Sequence, residues 1–147
     1  MFTPERLHNE LNKLIGDLEL SVKKNHILIK AMDQSGFDIN IHLDSIESMI
    51  YFGAGGNHVH FDHSQGSDED LIWMLVSALI GNTRIIEYSW NGKTRRYQIE
   101  EKELGEEWRI SSTLVFPHWM FWRKKTEIEE VIKQNRYQLK TVESSTN

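Results

Sequence analysis

The chain has 147 residues, of which 39% are hydrophobic and 10% aromatic, and this suits one globular domain with a substantial core. It has no cysteine, which excludes disulfides, thiolate metal sites and cysteine nucleophiles. The longest apolar run, Leu71 to Ile80, is about half of the roughly 20 residues that a membrane span needs, and the N-terminus has no secretory-signal pattern. We therefore expect a cytoplasmic protein without a membrane partner.

The formal net charge of −5 is unevenly distributed along the chain. Residues 1–70 carry 5 basic and 12 acidic side chains, a balance of −7, whereas residues 71–147 carry 12 basic and 10 acidic ones, a balance of +2. An acidic half disfavours phosphate backbones, so we expect no nucleic-acid partner. It leaves open either a basic protein partner or a solvated acidic surface that keeps the protein soluble.

The N-terminal segment predicts an amphipathic helix over about residues 4–19. Thr3 is a suitable N-cap, and Pro4 suits the first helical position. Leucine and isoleucine then recur at helical spacing, which predicts that one face of this helix is buried.

Four strands are predicted next, at residues 26–32, 37–43, 46–52 and 57–62. The second alternates apolar and polar residues with a period of two, which places one face in a core and the other in water. In the fourth strand, Val59 and Phe61 share one face. The opposite face carries His58, His60 and Asp62.

A second helix is predicted after this strand. Ser67 is a good N-cap, and the acidic residues that follow suit the positive end of the helix dipole. Leu71 to Ile80 is apolar nearly all round and Gly81 ends it, so we expect a buried helix packed on the sheet.

Asn91-Gly92, between two β-rich runs, is typical of a type I′ hairpin turn. A two-residue loop fixes the register of the strands that it joins. The predicted cross-strand pairs are Trp90 with Lys93, Ser89 with Thr94, Tyr88 with Arg95, Glu87 with Arg96, and Ile86 with Tyr97.

The C-terminal third predicts one more strand, an aromatic cluster and a helix. The strand spans Trp108 to Phe116, and residues 116–122 form the cluster, which could be core or a ligand pocket. Thr126 with Glu129 resembles a capping box. The helix that it would begin is marked by Ile128, Val131, Ile132 and Leu139.

Together these elements predict an α+β fold. Its antiparallel sheet has about six to seven strands, with an N-terminal helix, a central buried helix and a C-terminal helix. Residues 1–141 form a single domain, and residues 142–147 form a flexible tail.

The segment from His58 to Gly66 reads HVHFDHSQG and matches the pattern HxHxDHxxG. This pattern is similar to the metal-binding motif of the metallo-β-lactamase superfamily. The resemblance implies zinc bound by His58, His60 and His63, with Asp62 on a second metal.

The rest of the sequence departs from that family. The resemblance implies two further histidines and a bridging aspartate downstream, but the only later histidine is His118 and no aspartate follows Asp70. The chain is also too short for the family's two stacked halves. We therefore interpret the match as coincidental, and a metal site made by this segment alone is the remaining alternative.

Gly55-Gly56-Asn57-His58-Val59-His60-Phe61-Asp62, followed by a helix with an acidic first turn, resembles small bacterial immunity proteins of polymorphic toxin systems. The resemblance covers about residues 37–100. It implies a cytosolic inhibitor that occludes a toxin domain, often a basic nuclease. From the charges, we predict partner contacts by Asp38, Asp44, Glu47, Asp62 and Asp68.

The sequence therefore favours a protein-binding domain with no catalytic residues and no cofactor; its oligomeric state stays open. One alternative is a metal-dependent hydrolase or metal-binding protein that holds zinc through His58, His60, His63 and Asp62. Another is a small-ligand module built on the aromatic cluster.

Overall fold

The computed structural model describes residues 2–90, 92–103, 106–115 and 128–140. Through these residues the chain forms one helix, five strands, a second helix and four strands. The helices are α1 (Pro4–Leu14) and α2 (Asp68–Leu79). The strands of the first half are β1 (Leu20–Lys23), β2 (His26–Ile29), β3 (Ile39–His42), β4 (Glu47–Phe52) and β5 (His58–Asp62). The strands of the second half are β6 (Thr83–Trp90), β7 (Lys93–Glu101), β8 (Arg109–Val115) and β9 (Ile128–Gln134).

Helix α1 begins as predicted but ends earlier. The Thr3 hydroxyl accepts a hydrogen bond from the Arg6 backbone N–H at 3.2 Å, which confirms the N-cap. The helix ends at Leu14 rather than near residue 19, because the chain turns at Gly16 and Asp17. Asp17 adopts a left-handed φ of 56°, a conformation that aspartate tolerates better than most residues.

Helix α2 is capped as predicted and buried on one face. Ser67 and Asp70 form a reciprocal capping box, in which each side chain accepts a hydrogen bond from the other's backbone N–H. The Ser67 N–H and hydroxyl both donate to the Asp70 carboxylate and hold the pKa of Asp70 below its usual value. The helix is apolar nearly all round, but it is not buried all round, since Trp73 is 55% exposed.

The first five strands form an antiparallel meander in the order β1-β2-β3-β4-β5. The predicted alternation is confirmed in β3, where Ile39 and Ile41 are fully buried. Strand β1 was not predicted, because the expected helix extended almost to its first residue. Its tight turn to β2 uses Lys24 at a left-handed φ of 54°.

The remaining strands form a second antiparallel sheet in the order β8-β7-β6-β9. The prediction of one sheet with six to seven strands is therefore corrected to two sheets of five and four strands. Helix α2 separates the two sheets along the chain and contacts β6, while α1 contacts α2 and β1.

The predicted C-terminal helix is wrong for residues 128–134, which form strand β9. Ile128, Val131 and Ile132 have helical spacing, but all three are β-branched and fit a pleated strand well. Strand β9 pairs along its whole length with the free edge of β6, and Lys133 contacts Glu87 at 3.5 Å. This long-range pairing outweighs the local helical pattern.

The predicted hairpin forms between β6 and β7, but its register changes after the second residue pair from the turn. Trp90 pairs with Lys93 and Ser89 with Thr94, as predicted. A bulge between Tyr88 and Ser89 then shifts the partners, so that Tyr88 lies opposite Arg96 and Glu87 opposite Tyr97. The predicted pairs of Tyr88 with Arg95, Glu87 with Arg96 and Ile86 with Tyr97 are wrong, because a bulge sets an extra residue on one strand.

A single hydrophobic cluster joins both helices and both sheets. After β9, the chain crosses back to the first sheet. The Asn135 side chain, 1% exposed, accepts from the Phe37 N–H at 2.9 Å and donates to the Phe37 carbonyl at 3.0 Å. The hydroxyl of Tyr137 donates to the Lys30 carbonyl at 2.6 Å, and burial raises its pKa.

Several predicted features lie outside the described residues: Asn91 of the hairpin turn, the aromatic cluster at 116–122, Thr126 of the predicted capping box, and the tail at 142–147. Of the two helices that the structure describes, neither has the length and apolar character required to cross a membrane.

Candidate functional site

The outward side of the five-stranded sheet carries a line of histidines, and we call this side the outer face. Each β4 residue that points into the core, such as Ile50, alternates with one that points outward, such as Met49. In the register of the sheet, one outward row crosses four strands as His26, His42, Met49 and His60. The next row places Tyr51 beside His58.

The rings of His58 and His60 converge on the outer face. Their Nε2 atoms are 3.1 Å apart, and their ring centroids are separated by 4.9 Å. His58 Nδ1 lies 3.0 Å from the Gly56 carbonyl oxygen, and its ring also contacts that of Tyr51 at 5.0 Å. His60 Nδ1 lies 2.6 Å from Glu47 Oε1. Each imidazole is thus oriented through its other nitrogen.

The other two predicted metal ligands, His63 and Asp62, do not join this pair. His63 Nε2 lies 2.7 Å from the hydroxyl of Ser48, a fully buried residue whose side chain points to the core. The Asp62 carboxylate accepts hydrogen bonds from the hydroxyl and N–H of Ser64, which lower the pKa of Asp62. Among the residues that the structure describes, no three His, Asp or Glu side chains are arranged to hold one metal ion.

A second histidine pair lies on the same face. His42 Nδ1 is 3.0 Å from His26 Nε2, and the ring centroids are 4.5 Å apart. One imidazole can donate to the other here, so the contact is an ordinary hydrogen bond. The sequence analysis missed this pair, because strand alternation identifies outward residues but not their neighbours across the sheet.

Three of the predicted acidic residues come together around the β3–β4 turn and the end of β5. We call Asp44, Glu47 and Asp62, with Ile46 between them, the acidic end. Glu47 pairs in register with Asp62, and the Asp44 carboxylate accepts from the Ile46 N–H at 3.0 Å. That hydrogen bond is the main reason that the pKa of Asp44 lies below its usual value.

Ile46 is the largest departure from sequence expectation at the acidic end. It lies within the predicted third strand, yet it is 75% exposed and precedes β4. Its carbonyl accepts from the His63 N–H at 3.0 Å, while its own N–H is bonded to Asp44. These backbone hydrogen bonds fix a residue whose apolar side chain is exposed to water and whose chain neighbours include Asp44 and Glu47.

The other two predicted contact residues lie elsewhere. Asp38 accepts from the Ala31 N–H at 2.8 Å and lies 3.6 Å from Lys30 Nζ. Asp68, in the first turn of α2, pairs with Arg6 of α1 at 3.1 Å. Both carboxylates are paired with lysine or arginine of the same chain, so neither adds to the acidic end.

An open cleft of about 600 Å³ lies between the two sheets. Its charged lining includes Asp38 and Glu87, which pair with Lys30 and Lys133 respectively. Asp33 also lines the cleft, and its carboxylate accepts hydrogen bonds from Ser35. Because these carboxylates already have partners within the chain, the cleft could recognise a small ligand more by its shape than by its charge.

Comparison with protein-family models, curated proteins and solved structures gave no significant match to this chain. The outer face and the acidic end are therefore the surfaces from which function is inferred.

Proposed function

We propose that this chain is a protein-binding domain that inhibits a basic partner domain, and that the acidic end is its contact surface. The observation that carries this proposal is the exposed side chain of Ile46, which lies between Asp44 and Glu47 in the chain, with Asp62 opposite Glu47. An apolar anchor surrounded by like charges is the arrangement with which an interface excludes water and selects an oppositely charged partner.

The hydrogen bonds at this surface support a preorganised binding site. The Asp44 carboxylate is fixed by the Ile46 N–H, and the Asp62 carboxylate by the hydroxyl and N–H of Ser64; these bonds lower the pKa of each carboxyl. Both groups therefore stay ionised through mildly acidic and neutral pH. A rigid turn also loses little conformational entropy on binding.

The resemblance to bacterial immunity proteins fits this proposal. In such a system the chain is cytosolic, and its partner is a toxin domain, often a basic nuclease. An acidic inhibitor would then associate quickly by electrostatic steering and occlude the toxin's substrate-binding surface.

Co-purification with the product of the adjacent reading frame, followed by titration of the isolated pair, tests the proposal. We expect Ile46→Asp to weaken binding at least about tenfold, since truncation or inversion of an interface anchor typically costs more than 1 kcal/mol. Glu47→Lys should mainly slow association, and raised salt should reproduce this effect.

Glu107→Lys is the matched control. Glu107 is exposed between β7 and β8, and its substitution changes the net charge by the same amount. If it weakens binding as much as Glu47→Lys, only net charge matters and the acidic end is not the interface. An adjacent product that does not bind would refute the immunity proposal.

The second candidate is a metal-dependent hydrolase or zinc-binding protein, and the contact between His58 and His60 is the observation that favours it. A zinc hydrolase needs three protein ligands and an open position. Hydrolysis that disappears on chelation would support it. The described residues bring two imidazoles together, which bears on metal binding more directly than on catalysis.

A further inference from the structure

We infer that His58 and His60 form a two-imidazole site for a divalent first-row transition metal ion, with Cu²⁺ bound most tightly. This inference goes beyond the proposed inhibitor function and does not depend on it. It concerns the outer face, and it uses neither His63 nor Asp62 as a ligand.

Each Nδ1 of the pair faces an oxygen that accepts a hydrogen bond. His58 Nδ1 faces the Gly56 carbonyl, which can only accept a hydrogen bond, so this nitrogen must carry hydrogen. His60 Nδ1 faces the Glu47 carboxylate, which also only accepts when it is ionised. In the neutral form of each ring, Nε2 is then a bare acceptor.

These two acceptors face each other at 3.1 Å. Neither nitrogen can donate to the other in that form, so a metal ion bound by both is a partner that satisfies the two lone pairs. In the pair of His42 and His26, one ring can donate to the other, so no ion is needed there.

The spacing suits one metal ion. Imidazole nitrogens bind zinc at about 2.0–2.1 Å, and two nitrogens 3.1 Å apart at that radius subtend an angle of about 100° at the ion. This lies between the square-planar and tetrahedral angles. Among divalent first-row ions, copper has the highest affinity for such ligands.

The surroundings of the pair favour a cation. The contact between the Glu47 carboxylate and His60 Nδ1 is the carboxylate–histidine arrangement that orients metal ligands and raises their basicity. Asp62 lies opposite Glu47 in the register and adds negative charge at the same end. Since the protein supplies two ligands, water completes the coordination sphere.

Titration of the chelator-treated protein with Cu²⁺ alone tests the inference, followed by electron paramagnetic resonance and calorimetry. We expect one equivalent to bind with hyperfine coupling to two imidazole nitrogens. A merely structural role for the pair would produce neither this binding nor this coupling.

Variants locate the site. His58→Ala and His60→Ala should each weaken Cu²⁺ binding at least about tenfold, and Glu47→Gln by about tenfold, as expected for an orienting carboxylate. His8→Ala, in α1, is the control and should have no effect. Both residues of the pair are exposed, so the variants should fold; circular dichroism checks this.

Three results would overturn the inference. They are the absence of binding, binding that survives loss of both His58 and His60, and equal loss in His26→Ala, which would place the ion on the other pair. None of these results affects the inhibitor proposal, whose own test uses Ile46→Asp.

Discussion

Asn135 shows how far the stability of this fold depends on single polar side chains. Its amide satisfies both the N–H and the carbonyl of Phe37, ahead of β3, from a position just after β9. Asn135→Ala should lower the free energy of unfolding by about 2–4 kcal/mol, because two buried backbone groups would lose their partners. Chemical denaturation measures this loss.

The control for that measurement is Asn40→Ala, at an exposed position of β3. A surface change of this kind should stay within about 0.5 kcal/mol of the parent. Equal destabilisation by both variants would show that the amide clamp contributes little.

Individual residues also mark the limit of what sequence could predict about the candidate site. The outward direction of His58 and His60 follows from strand alternation, and this part was predicted. The destination of His63 was not, since its partner Ser48 lies on another strand and is buried. The exposure of Ile46 was also missed, because the turn that holds it depends on hydrogen bonds to Asp44 and His63.

At the level of elements, the sequence correctly predicted the features that depend only on residues close together in the chain. The caps at Thr3 and Ser67 and the alternation in β3 and β5 involve residues close in sequence, and all are confirmed. The helix prediction for residues 128–134 was wrong because their conformation is set by pairing with the edge of β6, 38 to 50 residues earlier in the chain. The hairpin register failed where a bulge intervened.

A substitution at Val131 tests whether residues 128–134 form a strand or a helix. It is 44% exposed in β9, opposite Glu87. Val131→Ala should destabilise the protein by up to about 1 kcal/mol, since valine suits strands better than alanine. In a helix, the same change would stabilise it by several tenths of a kcal/mol. The sign of the change in thermal or urea stability is the readout.

A matched substitution in a helix calibrates that sign. Asn9 is exposed in α1, and Asn9→Ala should raise stability by about 0.5 kcal/mol. Stabilisation by both changes would contradict the assignment of residues 128–134 to a strand.

At the scale of the whole molecule, the α+β class and antiparallel pairing could be predicted from short connections and alternating patterns. The division into two sheets could not, because it depends on which strand edges meet after the chain folds. What joins the sheets is the shared core together with the segment that follows β9.

Tyr137 tests whether the two sheets unfold as one unit. It is 3% exposed, its hydroxyl donates to the Lys30 carbonyl beside β2, and its N–H donates to the Leu79 carbonyl at the end of α2. Tyr137→Ala should lower the free energy of unfolding by about 3–5 kcal/mol, as for other buried aromatic residues. Tyr137→Phe, which keeps the ring, should cost about 1 kcal/mol.

Hydrogen exchange measures the destabilisation by Tyr137→Ala separately in each sheet. If one core unites the molecule, Tyr137→Ala should reduce the protection of amides in β3 and in β7 by the same free energy, since both exchange through global unfolding. Protection lost in β3 but retained in β7 would show that the four-stranded sheet is stable on its own. In that case the first sheet, which carries the outer face and the acidic end, could open independently.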